Sequence, residues 1–220
     1  MSRAARSGAI ACGVIALFLA GCAVPAGAPG NLSDLKREIR AYVEQGAYQR
    51  ELVAVAGRAE AWITARAGRG GERLTVVFDL DETLLSNWPH LAAMDFGYVK
   101  DEWHRWVAAG EAPAIEPVCA VFRTTRRLGV EVVILTGRRE RDRAGTEKNL
   151  QAIGCADYQR LIFAPDGDTR TAAEYKTAVR RRLSAEGRSI IANVGDQESD
   201  LSGGYAERAF KLPNVFYALP

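Results

Sequence analysis

The sequence predicts an α/β fold: a parallel sheet with helices on both faces, a helical segment ahead of it and a small cap insertion within it. Three observations carry this expectation. Short aliphatic and β-branched runs at 73–79, 130–136, 160–163, 189–195 and 209–212 read as strands. Helix-period stretches at 115–128, 141–153 and 171–186 lie between them, and that alternation is how parallel βαβ units are written in sequence. Polar clusters follow the apolar runs at their carboxyl ends, where open α/β sheets bind ligands.

The first 21 residues stand apart from the fold. Arg3 and Arg6 form a basic start, and Gly8 to Ala20 is apolar but too short to span a bilayer comfortably. Leu19-Ala20-Gly21-Cys22 resembles the bacterial lipobox, which implies a signal peptide over 1–21, lipidation of Cys22 and a mature chain that begins there. The alternatives are an ordinary secretory signal with an incidental cysteine, or a short membrane anchor; each exports the protein. Ala23 is not the acidic residue that retains many lipoproteins at the inner membrane. The expected address is therefore the cell envelope, at the outer membrane, facing the periplasm or the surface. Residues 22–31, rich in Ala, Pro and Gly, have the composition of a flexible tether.

Removing 1–21 takes away two arginines and no acid, so a formal net charge of +2 falls to zero, with 27 basic and 27 acidic residues left. That balance excludes a nucleic-acid or anionic-lipid partner recruited by bulk charge. The membrane is expected to be reached through the lipid alone.

The remaining elements follow in order over a domain at 32–220. Residues 32–71 read as two helices and a turn: Leu35, Ile39, Tyr42 and Val43 share one face, Gly46 breaks the run, and Tyr48, Leu52, Val55, Ala59, Trp62 and Ile63 continue it. The run Val76-Val77-Phe78 is a buried strand. After it, 84–113 is 30 residues long, far beyond an ordinary βα loop, and holds Trp88, Phe96, Tyr98, Trp103 and Trp106. This is the cap insertion, expected to pack most of its aromatics together and to turn one or two toward a substrate. Cys119 stands near the start of one predicted helix and Cys155 after the end of another, at opposite ends of the sheet. A separation beyond about 7 Å forbids a disulfide, so two buried free thiols are expected.

The chemistry collects at three strand ends and one helix start. Asp79 and Asp81 are spaced i, i+2, so along a strand they share a face. Buried carboxylates are costly unless paired, which points to a cation or a reaction. Thr136-Gly137-Arg138 offers a hydroxyl and free N–H groups at a strand-to-helix turn, an anion cradle or a plain helix N-cap. Asp196 and Asp200 follow the 189–195 run, as more carboxylates at a strand end or as an acidic surface loop. Lys176 opens a helix, either as a point charge for phosphate or as a solvated lysine beside Arg180, Arg181 and Arg182.

Taken together, Phe-Asp-Leu-Asp-Glu-Thr-Leu-Leu-Ser-Asn (78–87), Ile-Leu-Thr-Gly-Arg (134–138), Tyr-Lys (175–176) and Gly-Asp-Gln-Glu-Ser-Asp (195–200) resemble the four motifs of haloacid dehalogenase-type (HAD) phosphatases. The wording around them, with Phe210-Lys211-Leu212-Pro213-Asn214, is similar to the subfamily IIIB acid phosphatases, the group of bacterial class B and C and plant enzymes. The resemblance spans about residues 35–217 and implies a Rossmann-like HAD fold and hydrolysis of small phosphate monoesters. It also implies site roles. Asp79 is the nucleophile that forms an aspartyl-phosphate, and Asp81 the general acid and then base. Mg²⁺ is held by Asp79, Asp196 and the backbone carbonyl of Asp81. Thr136, Gly137 and Lys176 bind the phosphoryl group, with Arg138 in support, and Asp200 orients a metal-bound water or steadies Lys176.

The chain departs from class C wording in having His90 in place of an aromatic and Gly137 in place of an asparagine, which moves it toward the plant-like branch. His90 and His104 lack an Arg-His-Gly context, and this excludes the histidine acid phosphatase mechanism; His104 reads as a helix-surface residue. A non-catalytic protein that keeps the fold for binding or storage, and a phosphotransferase to an alcohol, are the competing readings.

Overall fold

In the computed structural model residues 30–219 are described; the leader, Cys22 and nearly all of the tether lie outside them. Five strands form one wholly parallel sheet in the order β3-β2-β1-β4-β5: β1 Leu74–Phe78, β2 Glu131–Arg139, β3 Arg160–Ala164, β4 Ser189–Gly195 and β5 Ala209–Lys211. With helices over both faces, its central strands are buried on both sides, which is why they read as continuous apolar runs. Val76 and Phe78 of β1, with Val132 and Ile134 of β2, point into one core; Val77, Val133 and Leu135 point into the other. The first core is closed by α2 (Ala47–Ala67) and α5 (Glu116–Arg127), the second by α7 (Ala172–Ala185).

The N-terminal helices divide the labour unequally. On α2, Tyr48, Leu52, Val55, Ala59 and Ile63 are buried as their spacing predicts, each aliphatic side chain worth about 1.5–3 kcal/mol. On α1 (Leu32–Glu44) no residue is buried and Leu35 stays 44% exposed, because this helix packs against α2 rather than the sheet. Among the described residues no helix is long and apolar enough to cross a membrane.

Three expectations change. First, β2 runs on through Thr136, Gly137 and Arg138 to Arg139, with its pairing to β3 shifted after Leu135. A 3₁₀ turn, Glu140–Asp142, follows the strand, and α6 begins at Arg143 (Arg143–Ala152). Thr136 is thus no helix N-cap and stands in no strand-to-helix turn. Second, Arg180 of α7 is fully buried, donating to the carbonyls of Asp200, Ser202 and Gly204, so α7's basic run is not all solvated. Third, Cys119 and Cys155 are buried and free as expected, but they do not lie at opposite ends of the sheet: each thiol is near enough to perturb the other. The cause is α6. Asn149 accepts from the Ala112 N–H at 3.0 Å and donates to the Ala112 carbonyl at 2.8 Å. That clamp brings the end of α6 beside the segment entering α5.

The insertion forms two short helices, α3 Trp88–Ala93 and α4 Lys100–Ala109. Its exit returns to the first loop, where the Ile115 N–H donates to the Leu84 carbonyl at 2.9 Å and the Ser86 N–H to Pro113 at 2.8 Å. A single turn, α8 (Glu198–Leu201), follows β4.

Candidate active site

Because all five strands run parallel, the ends of β1, β2 and β4 open on one edge of the sheet. The chain leaves β1 at Phe78, and the Asp79 N–H still donates to Val194 of β4 at 2.9 Å. From there the two aspartates diverge. Asp79 accepts from Lys176 Nζ through Oδ1 at 2.5 Å and from Thr83 Oγ1 through Oδ2 at 3.1 Å. Asp81 turns to Arg138, whose Nη2 lies 2.7 Å from Oδ1, and to Asn87 Nδ2 at 2.9 Å. Both carboxylates line one cleft, yet each has a different cation as its partner.

Lys176 is 4% exposed and bridges two carboxylates, its second contact being Asp200 Oδ1 at 2.5 Å. The solvated-lysine reading is therefore excluded. Asp200 gets this close because residue 195 is glycine: a Cβ there would stand 2.6 Å from Asp200 Oδ2. The Gln197 N–H donates to that same oxygen at 2.8 Å. Asp196, 2% exposed, takes amide N–H groups from Gln197 and Asn214 on Oδ2, each at 2.6 Å, and faces the Thr83 hydroxyl with Oδ1 at 3.3 Å.

Asp79, Asp196 and Asp200 each bring an oxygen to within 4.8 Å of the others. Three buried carboxylates share one lysine, an excess of negative charge that has consequences for each group. Burial, then the charge of Asp200, pushes the Asp79 and Asp196 carboxyls up from the ordinary range. Burial opposes the charge on Lys176, but Asp79 and Asp200 outweigh it and hold the ammonium firmly protonated. Burial also opposes ionisation of Asp81, and there the Arg138 guanidinium prevails and carries the carboxyl below its usual range. Hard oxygen donors at this spacing, short of positive charge, suit a divalent cation such as Mg²⁺.

Thr136 is fully buried, and its hydroxyl accepts the Arg138 N–H at 3.0 Å. At this strand end the surface of the cleft is formed by Gly137 and Arg138. The cleft, of about 430 Å³, has Asp79, Asp81, Lys176, Asp196 and Asp200 at its base. Phe96, Tyr98 and Trp103 of the insertion line one side, more aromatics than the one or two expected, and Phe216 and Tyr217 line another. Trp88 packs on Phe96 and Phe216, and Trp106 stacks on His90 at 5.6 Å while donating to Asn87 Oδ1 at 2.7 Å. His104 faces Asp142 at 3.3 Å, away from the carboxylate cluster.

Several site residues escape spacing arguments. Glu82 sits 1% exposed in a left-handed conformation (φ 52°), accepting from the Asn87 N–H at 2.7 Å and from the Tyr217 hydroxyl. Burial, then the neighbouring Asp81, pushes its carboxyl up to about 8. Glu82, Asn87, Gln197 and Asn214 all stood within or beside the quoted motifs, which was the only signal available for them.

A parallel sheet with carboxylates beyond its two central strands and a buried lysine bridging them defines a haloacid dehalogenase-type α/β protein. The chain belongs to the HAD superfamily, subfamily IIIB (acid phosphatase), matching that family over residues 29–220. It is 40% identical to acid phosphatase 1 of Solanum lycopersicum over 64% of this chain and 57% of that one. It is 34% identical to vegetative storage protein 1 of Arabidopsis thaliana over 66% of this chain and 55% of that one. The chain thus spans little more than half the length of these curated relatives. Among solved structures, the class C acid phosphatase of Bacillus anthracis shares the fold, with a TM-score of 0.72 at 23% identity over 85% of this chain and 86% of that one.

Proposed function

We propose that this protein is an exported, Mg²⁺-dependent acid phosphatase that hydrolyses small phosphate monoesters through an aspartyl-phosphate on Asp79. One observation carries the reading: Asp79 is a buried carboxylate at the base of an open cleft, bonded to a buried lysine and grouped with Asp196 and Asp200. Asp79 and Asp196, with the backbone carbonyl of Asp81, would hold Mg²⁺. When bound, the cation offsets the charge of the phosphoryl oxygens and of the carboxylates around it.

The chain's own groups supply the rest. Asp79 attacks phosphorus, and Lys176, paired at rest with Asp79 and Asp200, is already aimed at the place where phosphoryl charge develops. Thr136, buried next to the Gly137 and Arg138 that line the cleft, accepts the Arg138 N–H, which fixes its hydroxyl; that hydroxyl and the Gly137 N–H would meet the phosphoryl oxygens. Asp81 protonates the departing alkoxide and then takes a proton from the water that opens the acyl phosphate. Arg138 holds Asp81 in the form the second step needs. Falling pH raises the fraction ready for the first step, which accords with an acid phosphatase.

The test is turnover of p-nitrophenyl phosphate with Mg²⁺. Asp79→Asn is expected to lower kcat by at least about 10⁴-fold with the circular dichroism spectrum unchanged. Residual activity within tenfold of the wild type would remove Asp79 from the nucleophile role. The storage reading is favoured by the names of two Arabidopsis relatives, vegetative storage proteins 1 and 2. It requires the unmutated protein to be inert in the same assay.

A further inference from the structure

We propose that Asn214, held by the turn that follows it, is a positioning residue for the cation site: it fixes Asp196 so that only one carboxylate oxygen remains to bind metal. The inference rests on the reading of Asp196 as a metal ligand.

Two side-chain amides converge on Asp196. A primary amide has an oxygen end that accepts and a nitrogen end that donates, and its orientation is read from what each end meets. Asn214 Oδ1 accepts the Phe216 N–H at 2.7 Å and the Tyr217 N–H at 3.4 Å, so its NH₂ must point the other way, onto Asp196 Oδ2 at 2.6 Å. Gln197 repeats the device. Its Oε1 accepts the Leu219 N–H at 3.1 Å, and its Nε2 donates to the same Asp196 oxygen at 2.6 Å.

Backbone N–H groups of residues 216–219 therefore set both amides, and both amides fall on one oxygen. With Oδ2 holding two donors, Oδ1 is left facing the Thr83 hydroxyl, the less engaged of the two. Asp196 and Gln197 are 2% and 7% exposed, so water cannot readily replace a lost donor. The turn is itself pinned: Phe216 packs on Tyr48 at 5.3 Å and Trp88 at 5.4 Å, and Tyr217 donates to Glu82. Hydrogen bonds that orient a metal-binding carboxylate commonly govern affinity by 10- to 100-fold.

The experiment measures Mn²⁺ binding to the purified full-length protein by electron paramagnetic resonance, with thermal melts alongside. Asn214→Ala and the volume-keeping Asn214→Leu are expected to weaken Mn²⁺ by roughly 10- to 100-fold while the metal-free melt shifts little. Val215→Ala, an exposed neighbour in the same turn, should bind as the wild type does. Asp196→Asn distinguishes a failure of the metal-ligand role from a failure of the positioning role. If it binds Mn²⁺ like the wild type, or if the wild type does not bind, the metal-ligand reading fails. If it loses binding while both Asn214 variants keep wild-type affinity, this proposal alone is overturned. Loss of a cooperative melt in both variants would assign Asn214 to the fold and overturn it equally.

Discussion

Asp79 and Asp81 stand two residues apart and are driven in opposite directions. Asp79 is surrounded by like charge and relieved only by a shared lysine, whereas Asp81 has a guanidinium to itself. The same surplus reaches Asp196, whose carboxyl is raised in the folded state by burial and Asp200. A raised carboxyl favours the fold below its unfolded pKa and loses that contribution as pH rises through its folded value. Asp196→Asn should therefore stabilise the metal-free protein at neutral pH by about 1 kcal/mol, a rise in Tm of roughly 2–4 °C. That advantage should shrink as the pH approaches about 4, and the Tm increment given by Mg²⁺ should disappear. Calorimetric melts with and without Mg²⁺ would check both. The sequence announced these carboxylates because unpaired charge beside apolar runs is conspicuous. It concealed Glu82 and Asn87, whose burial depends on Tyr217 and Trp106, residues that spacing cannot bring to them.

At the scale of elements, the insertion is fastened where α4 meets α6. Gly145 of α6 lies so close to α4 that a Cβ would stand 2.2 Å from the Val107 carbonyl oxygen. Gly145→Ala must push the helices apart, at a cost of about 1–3 kcal/mol, lowering Tm by roughly 3–10 °C in thermal melts followed by circular dichroism. Activity should fall with it, since α4 carries Trp103, which lies against Arg138 at 5.6 Å, and Trp106, which holds Asn87. Strand identity and order of occurrence were legible, because two-sided burial makes apolar runs unmistakable. The end of β2 was not: Thr-Gly-Arg reads as a turn, yet the strand continues, with Arg138 drawn onto Asp81 and Thr146. The meeting of Cys119 and Cys155 was equally hidden, because it depends on a clamp by Asn149 that no local pattern encodes.

For the whole molecule, the balance of 27 basic and 27 acidic residues from Cys22 onward offers no bulk attraction to an anionic membrane surface, so any attachment would have to come from elsewhere. If Cys22 carries lipid, Cys22→Ser should move the protein from the membrane fraction to the soluble one, read by fractionation and immunoblot. Continued membrane association would refute the anchor.

The bond from Tyr217 to Glu82 joins residues 135 apart, and the one from Lys176 to Asp79 joins residues 97 apart. Contacts between such distant stretches of chain are slow to find, since loop closure must come before any contact rewards it. A refolding molecule would thus regain its helices well before the cleft around Asp79 is assembled. Recovered activity would certify that the chain had been threaded correctly from the first loop to Tyr217, where a spectrum of its secondary structure would not.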